Sequence, residues 1–237
     1  MSMVFFPAEF VYWESVPDET HTKMKEKILP KILSIEDKEM MISPASLVHS
    51  SLNDWFEDGK GSKSSNVEML NDLELLTTVV REPVNKVLQK VSKMFPLQIE
   101  DLCIDSYWWN VYERGFFQEW HSHQGPPTIK TSDSGKPTLL SPFLSAIYIL
   151  NDDNDSGSTV FQHTPVALAD PLDEIIFDTR SFSEIKEGTV LIFPSGLKHC
   201  VRPVASPGRV TLSFNILAKF PDSANKVVTN WPVTKLD

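Results

Sequence analysis

With 237 residues, 41% of them hydrophobic, the chain can bury a substantial core and reads as globular, as one large domain or two small ones. Its net charge of −10 comes with no basic stripe, which argues against unaided binding to nucleic acid or to an anionic membrane. Two cysteines, Cys103 and Cys200, make no disulfide framework and fit a reducing, cytoplasmic setting. The apolar opening Met1 to Pro7 is short and lacks a basic leader, so it is not read as a signal peptide, and no run is long enough to span a bilayer.

Phe5 to Trp13 is aromatic and extended, and predicts an edge strand. Asp18 is a candidate helix cap with Glu19 in the first turn. Met24, Ile28 and Ile32 then recur at fours on one helix face, and Pro30 breaks or kinks that helix. Residues 34–66 read as loop. From Val67 to Phe95 the apolar positions Leu73, Leu76, Val80, Val84, Val87, Val91 and Met94 make a continuous helical stripe, with a kink or two abutting helices at Pro83. Such a stripe packs on the outside of a sheet and carries no chemistry.

After Pro96 the texture changes to short strands and turns. Strands are expected over Leu102 to Tyr112, Phe116 to His123, Phe143 to Leu150, Ser158 to Gln162, Val190 to Phe193, Cys200 to Pro203 and Val210 to Ala218. Gln124 to Leu140, rich in Pro, Gly and Ser, is expected to be a mobile lid or binding loop. This pattern argues for a sandwich or jelly roll with supporting N-terminal helices, α+β but mainly β. The expected organisation is one domain over 1–237: a strand and helices over 1–98, a jelly-roll core over 99–220 and a peripheral tail over 221–237.

The chemistry gathers around Trp120-His121-Ser122-His123. Two histidines two apart lie on the same face of a strand, and neutral imidazole is a common metal ligand. A third, His199, follows in Phe193-Pro194-Ser195-Gly196-Leu197-Lys198-His199, and Arg209 opens the last strand. A close ligand pair, a distant third ligand and an arginine describe a non-haem iron site that chelates a dicarboxylic acid. Where an acidic ligand is usual, the second position of the pair is His123. Glu119 shares strand parity with both histidines and competes for that place, and His163 is a further candidate at a strand end. Arg209 can meet a distal carboxylate with a bidentate fork, and Thr211 shares its face. Asn110 and Tyr112 share a face of an earlier strand and can donate to the same ligand. Arg202 is the rival arginine. Taken singly, each of these residues also fits a bland role: a packed histidine, a surface ion pair, a core tyrosine.

At these residues the sequence resembles the iron(II)- and 2-oxoglutarate-dependent oxygenases, in the branch of bacterial and phage proteins related to prolyl hydroxylases. The matching pieces are Trp109-Asn110, Gly115, His121-Ser122-His123, Ser145 to Leu150, Phe193 to His199 and Arg209 to Asn215. The resemblance covers roughly Leu102 to Leu217. It implies a double-stranded β-helix and decarboxylation of 2-oxoglutarate with O2, coupled to C–H hydroxylation of a primary substrate, either a small molecule or a protein side chain. By motif, His121 and His199 carry over as iron ligands and Arg209 as the binder of the distal carboxylate. The chain departs from the family at His123, where an acidic ligand is expected. It departs again at Ile149, which stands where such enzymes often place a tyrosine, with Tyr148 beside it. Two other readings remain open: a three-histidine cupin-like dioxygenase that needs no 2-oxoglutarate, and a jelly-roll binding module without catalysis.

Overall fold

A computed structural model describes residues 9–35, 40–43, 46–50, 73–94, 99–125, 127–131, 137–152, 157–163 and 175–219. Three helices support an antiparallel sheet. The helices are α1 (Asp18–Lys27), α2 (Leu29–Leu33) and α3 (Leu73–Met94). The strands are β1 (Tyr12–Ser15), β2 (Met40–Ser43), β3 (Ser46–Ser50), β4 (Asp101–Tyr112), β5 (Phe117–His121), β6 (Thr128–Thr131), β7 (Pro137–Asn151), β8 (Thr159–His163), β9 (Ile175–Asp178), β10 (Thr189–Pro194), β11 (Lys198–Val201) and β12 (Arg209–Lys219). The pairing order is β1-β10-β7-β12-β4-β3-β5-β11-β8-β9, with β2 added to β3 and β6 to β7.

The order matters because the two ends of this path face each other. Phe161 of β8 meets Phe193 of β10 edge to face, with ring centroids 4.9 Å apart. The central strands β7 and β12 are therefore covered on both sides, by helices on one and by the β5-β11-β8-β9 strands on the other.

Period-two alternation assigns each strand residue to one of these two interiors. On the helix side lie Val210, Leu212, Phe214 and Ile216 of β12, with Trp109 and Val111 of β4 and Ala146, Tyr148 and Leu150 of β7. They pack against Met24, Ile28 and Ile32 from the first two helices and Leu76, Val80, Val84, Val87 and Val91 from α3. Each such side chain withdrawn from water contributes roughly 1.5–3 kcal/mol. On the other side lies a smaller cluster of Ile147, Ile149, Phe161, Leu191, Phe193 and Leu197. Beside it runs a buried polar row, Arg209, Thr211 and Ser213. A polar row inside a protein is costly unless it has something to bind.

Several expectations change in detail. Pro17, not Asp18, occupies the N-cap of α1, and Asp18 stands in the first turn. The helix does break at Pro30: α1 ends at Lys27, and the proline falls in the first turn of α2, where its missing N–H costs nothing. Pro83 is buried within one continuous α3. Met40–Ser43 and Ser46–Ser50, expected as loop, pair as β2 and β3, their apolar runs being too short to announce themselves. The proline-rich stretch after His123 is not all loop: Thr128–Thr131 pairs with the start of β7, Thr128 opposite Leu140 and Thr131 opposite Pro137. The remainder of that stretch, residues 132–136, and the tail from 220 lie outside the described residues, as do the first eight. No helix among the described residues is long and apolar enough to cross a membrane.

Helix α1 also clamps the far end of β7. Lys25 Nζ donates to Glu187 Oε1 at 2.7 Å and to Asn151 Oδ1 at 2.6 Å. Glu187 Oε2 accepts from the amide of Asp152 at 2.9 Å, and Asn151 Nδ2 donates to the carbonyl of Gly208 at 2.7 Å. Burial pushes the Glu187 carboxyl up, but hydrogen bonds from Lys25, the Asp152 amide and His21 outweigh it and hold its pKa below the ordinary 4.5. A depressed carboxylate stabilises the fold above its unfolded pKa, and the gain is lost as pH falls through the folded value. Glu187→Gln is therefore expected to flatten the loss of stability on acidification below about pH 4.5. Denaturant titrations of both proteins across that range check this; parallel curves would remove the clamp's electrostatic role.

Candidate metal centre

The site starts from a cross-strand pair. His199 of β11 sits directly opposite His121 of β5, and the two rings lie 4.2 Å apart between centroids. His123 is two residues past the end of β5. Its amide donates to the carbonyl of Ser195 at 2.8 Å, which turns the residue inward instead of continuing the strand. Its ring then lies 5.4 Å from His121 and 4.9 Å from His199. One potential ligand atom from each of the three lies within 4.8 Å of the others. Two metal–nitrogen bonds of about 2.1 Å at a facial or tetrahedral angle hold their nitrogens about 3.0–3.4 Å apart, so the rings draw inward to share one ion. Among the described residues this is the grouping of side chains able to hold a metal.

The hydrogen bonds say which nitrogen each ring offers. His121 Nδ1 lies 2.7 Å from the carbonyl of Glu119, and His199 Nδ1 lies 3.1 Å from the carbonyl of Leu197. A carbonyl can only accept, so both Nδ1 atoms carry the proton and both Nε2 atoms keep a lone pair. His123 Nδ1 lies 2.9 Å from Ser145 Oγ. Asn215 Nδ2 donates to Ser106 Oγ at 3.1 Å, which leaves Asn215 Oδ1 as the acceptor for the Ser145 hydroxyl at 3.5 Å. Ser145 Oγ is thereby left to accept from His123 Nδ1. Imidazoles whose outer N–H groups are tied down in this way are what a metal-binding cluster needs.

Burial keeps the three rings neutral. The His123 pKa is pushed down to about 3 by burial first and by His121 second, with Asn215 opposing. His199 is held well below its ordinary value by burial and by the other two rings, and His121 is lowered by burial against the pull of Glu119. Trp108 packs edge-on to His123 at 5.2 Å, and Phe193 and Phe161 pack on His199 at 4.8 and 5.7 Å. Aromatic walls of this kind shut water out from the protein side of the cluster. The competitor Glu119 is exposed and stands outside the group. His163 closes β8.

Arg209 lies at the start of β12 with 1% of its surface exposed. Its Nη1 donates to a carboxylate oxygen of Asp152, which is equally buried, and to the carbonyl of Gly157 at 3.3 Å. Its Nε and Nη2, one edge of the guanidinium fork, have no hydrogen-bond partner among the described residues. Opposite Arg209 on β4 is Tyr112, and opposite Thr211 is Asn110. Tyr112 donates to Gln118 Oε1 at 2.6 Å. Asn110 Nδ2 reaches Thr211 and Ser213 at 3.5 and 3.4 Å, while its buried Oδ1 has no partner. The four residues expected at the co-substrate end therefore share one buried wall, with unused donors and an unused acceptor. Such groups are expensive to bury empty-handed, and they fit a polar ligand.

The rival Arg202 is half exposed and pairs with Asp178 at 3.1 Å, a surface ion pair. Tyr148 turns to the helix side, its hydroxyl 2.5 Å from His21 Nδ1, and Ile149 takes the inward place. Asp152, Gly157, Ser145 and Asn215 carry parts of the site that the sequence reading did not assign. Ser145 and Asn215 fall within the matching motifs. Asp152 sits in an acidic turn that looks like any solvated one.

No family model matches the sequence, and no curated protein matches it. Solved structures do. The non-heme α-ketoglutarate-dependent epimerase SnoN from nogalamycin biosynthesis superposes with a TM-score of 0.56 at 11% identity, over 97% of this chain and 87% of that one. The α-ketoglutarate-dependent carbocyclase SnoK of the same biosynthesis gives 0.54 at 13% identity, over 90% and 82%. A prolyl-4-hydroxylase from Pseudomonas putida aligns at 0.47 and 14% identity over 90% of this chain and 94% of that one, too loosely to carry an argument. The chain has the fold of these α-ketoglutarate-dependent enzymes. At such identities the likeness is one of fold, and the site must speak through its own residues.

Gly157 gives one direct check on the geometry. A Cβ there would stand 2.8 Å from Arg209 Nε and nearer still to Cδ, so only glycine lets the arginine lie where it does. Gly157→Ala is expected to destabilise the protein by about 1–3 kcal/mol, the usual cost of forcing an extra carbon into a packed interior. A denaturant titration measures it; a neutral substitution would mean the arginine is free to move aside.

Proposed function

We propose that the protein is an iron(II)- and 2-oxoglutarate-dependent dioxygenase, a hydroxylase that couples decarboxylation of 2-oxoglutarate to C–H oxidation of a primary substrate, either a small molecule or a protein side chain. The observation that carries this is the pairing of two features in one fold: three converging imidazoles whose Nδ1 atoms are held by outer partners, and a buried arginine with an unused donor edge. A metal centre alone would fit many chemistries, and an arginine alone would be an ion pair. Together they match a ligand that chelates a metal at one end and carries an anion at the other. The likeness in fold to SnoN and SnoK supports the same reading.

In this reading the fold is a double-stranded β-helix, and the whole chain works as one oxygenase domain in the cytoplasm. His121, His123 and His199 hold the iron, with His123 in the place usual for a carboxylate and preferred to the exposed Glu119 because it converges with the other two rings. Iron(II) bound there would be chelated by the 2-oxo acid and would activate O2, which is the oxidant of the reaction. The chain's own groups do the positioning. Ser145 and the two backbone carbonyls fix the imidazoles. The aromatic walls keep water from the protein side, and Arg209, with Thr211, Asn110 and Tyr112, receives the far carboxylate. Three neutral ligands leave a divalent ion its full charge, which favours an anionic chelator.

The test is anaerobic visible spectroscopy of the iron(II) protein. Addition of 2-oxoglutarate is expected to produce a new charge-transfer band; its absence would favour a three-histidine dioxygenase or a binding module. In titration calorimetry with an inert metal, Arg209→Ala is expected to weaken 2-oxoglutarate binding about 30-fold or more, because it removes the donor edge and leaves the buried Asp152 carboxylate without its arginine beside the ligand. Metal affinity should stay unchanged, Arg209→Lys should recover part of the loss, and Arg202→Ala should have little effect. Ser145→Ala is expected to lower metal affinity about 10–100-fold by releasing His123. Loss of metal binding in Glu119→Ala, with His123→Ala unaffected, would overturn the ligand set.

A further inference from the structure

The acidic group missing from the metal cluster reappears at the other end of the site. With three neutral imidazoles a divalent ion keeps its two positive charges, whereas two histidines and a carboxylate would leave one. Arg209, the cation of the far end, is already answered by Asp152, both side chains being 1–2% exposed. The sum over metal, ligands, arginine and Asp152 is two positive charges, the same as for a carboxylate-ligated metal with an unpaired arginine. Only the distribution differs. The metal end has gained a charge and the arginine end has lost one.

Asp152 is not free to swing away. Its backbone amide is held by Glu187 Oε2 at 2.9 Å, Glu187 is held by Lys25 and His21 at 2.7 and 3.2 Å, and Arg209 Nη1 is caught a second time by the Gly157 carbonyl. What Arg209 presents to a ligand is therefore a fixed Nε/Nη2 edge with its hydrogen-bonding capacity intact and its charge largely offset. A ligand carboxylate on that edge would share one guanidinium with a second buried carboxylate. An uncharged carbonyl oxygen would accept the same hydrogen bonds without that repulsion.

Resting on the reading of the site as a 2-oxo acid site, we propose that Asp152 sets its co-substrate range, so that 2-oxo acids ending in an uncharged carbonyl bind nearly as well as 2-oxoglutarate. The metal-chelating end, with its extra charge, supplies most of the affinity, and the arginine end reads shape and hydrogen bonding more than charge.

The experiment uses the full chain loaded with manganese(II) and titrates two ligands by calorimetry: 2-oxoglutarate, and 2,5-dioxohexanoate, in which a methyl ketone replaces the distal carboxylate. In the wild-type protein the two dissociation constants are expected to agree within about tenfold, against the 30-fold or more that a lost buried charge usually costs. In Asp152→Asn, which keeps an acceptor for Nη1, 2-oxoglutarate is expected to tighten while the ketone stays put, widening the ratio to about 30-fold or beyond. The wild-type ratio stands without the variant, should Asp152→Asn fail to fold. Wild-type discrimination above about 30-fold, or an unchanged ratio in Asp152→Asn, would overturn the proposal and leave the dioxygenase reading intact. If manganese binds and neither 2-oxo acid does, the dioxygenase reading falls and this one with it.

Discussion

A guanidinium sealed inside a β-sheet protein is the constraint on which the rest of this structure turns. Leaving such a charge unpaired costs several kcal/mol, so the fold must bring an anion to it and hold the anion there. Asp152 does so from the end of β7, next to the strand that carries Arg209. The clamp from α1 through Lys25 and Glu187 fixes the backbone of Asp152, and Gly157 clears the space the arginine occupies. The N-terminal helices thus have a part in the site without touching it. They cover the outer face of the sheet and pin the strand end on which the ion pair depends.

The inner face of β12 expresses the same economy. Its outward residues are Val, Leu, Phe and Ile, while its inward residues are Arg209, Thr211, Ser213 and Asn215. A strand designed only for packing would be apolar on both faces once both are covered. The polar row is tolerable because its members serve one another and the metal cluster: Asn110 reaches Thr211 and Ser213, and Asn215 orients Ser145, which orients His123. Metal end and arginine end are joined along a single strand. A shift of register by one residue would turn the whole row towards the helices and abolish both at once.

Much of this was legible in the sequence, and the limits have physical reasons. The helical stripe from Leu76 to Val91 and the Met24-Ile28-Ile32 face are periodic, and periodicity survives translation into packing. His121, His199 and Arg209 stood out because charged or ligating side chains flanked by strand residues have few other uses. His123 was drawn as a strand residue with the right parity. It reaches the cluster by a different route, a turn fixed by the Ser195 carbonyl. Strands β2, β3 and β9 stayed hidden because short strands lack a period long enough to see. Asp152 was beyond reach altogether, since nothing in Asn151-Asp152-Asp153-Asn154-Asp155 marks one acidic residue as a buried counter-ion; only the pairing of β7 with β12 does.

That blind spot bears on how such sites are read. Arg209 taken alone is an unpaired cation that demands an anionic ligand. Arg209 with Asp152 is a donor edge of nearly neutral charge. The metal cluster shows the opposite substitution, a neutral imidazole in a place usual for a carboxylate. Either departure taken singly would misjudge the charge the site prefers in its ligand. Together they conserve the total and move it some way along the barrel, from the arginine to the metal. Electrostatic attraction for a dianionic ligand depends first on that total, whereas selectivity between the ligand's two ends depends on where the charge sits. In the proposed site the three histidines and the Arg209–Asp152 pair therefore keep that total and change only which end of a ligand meets it.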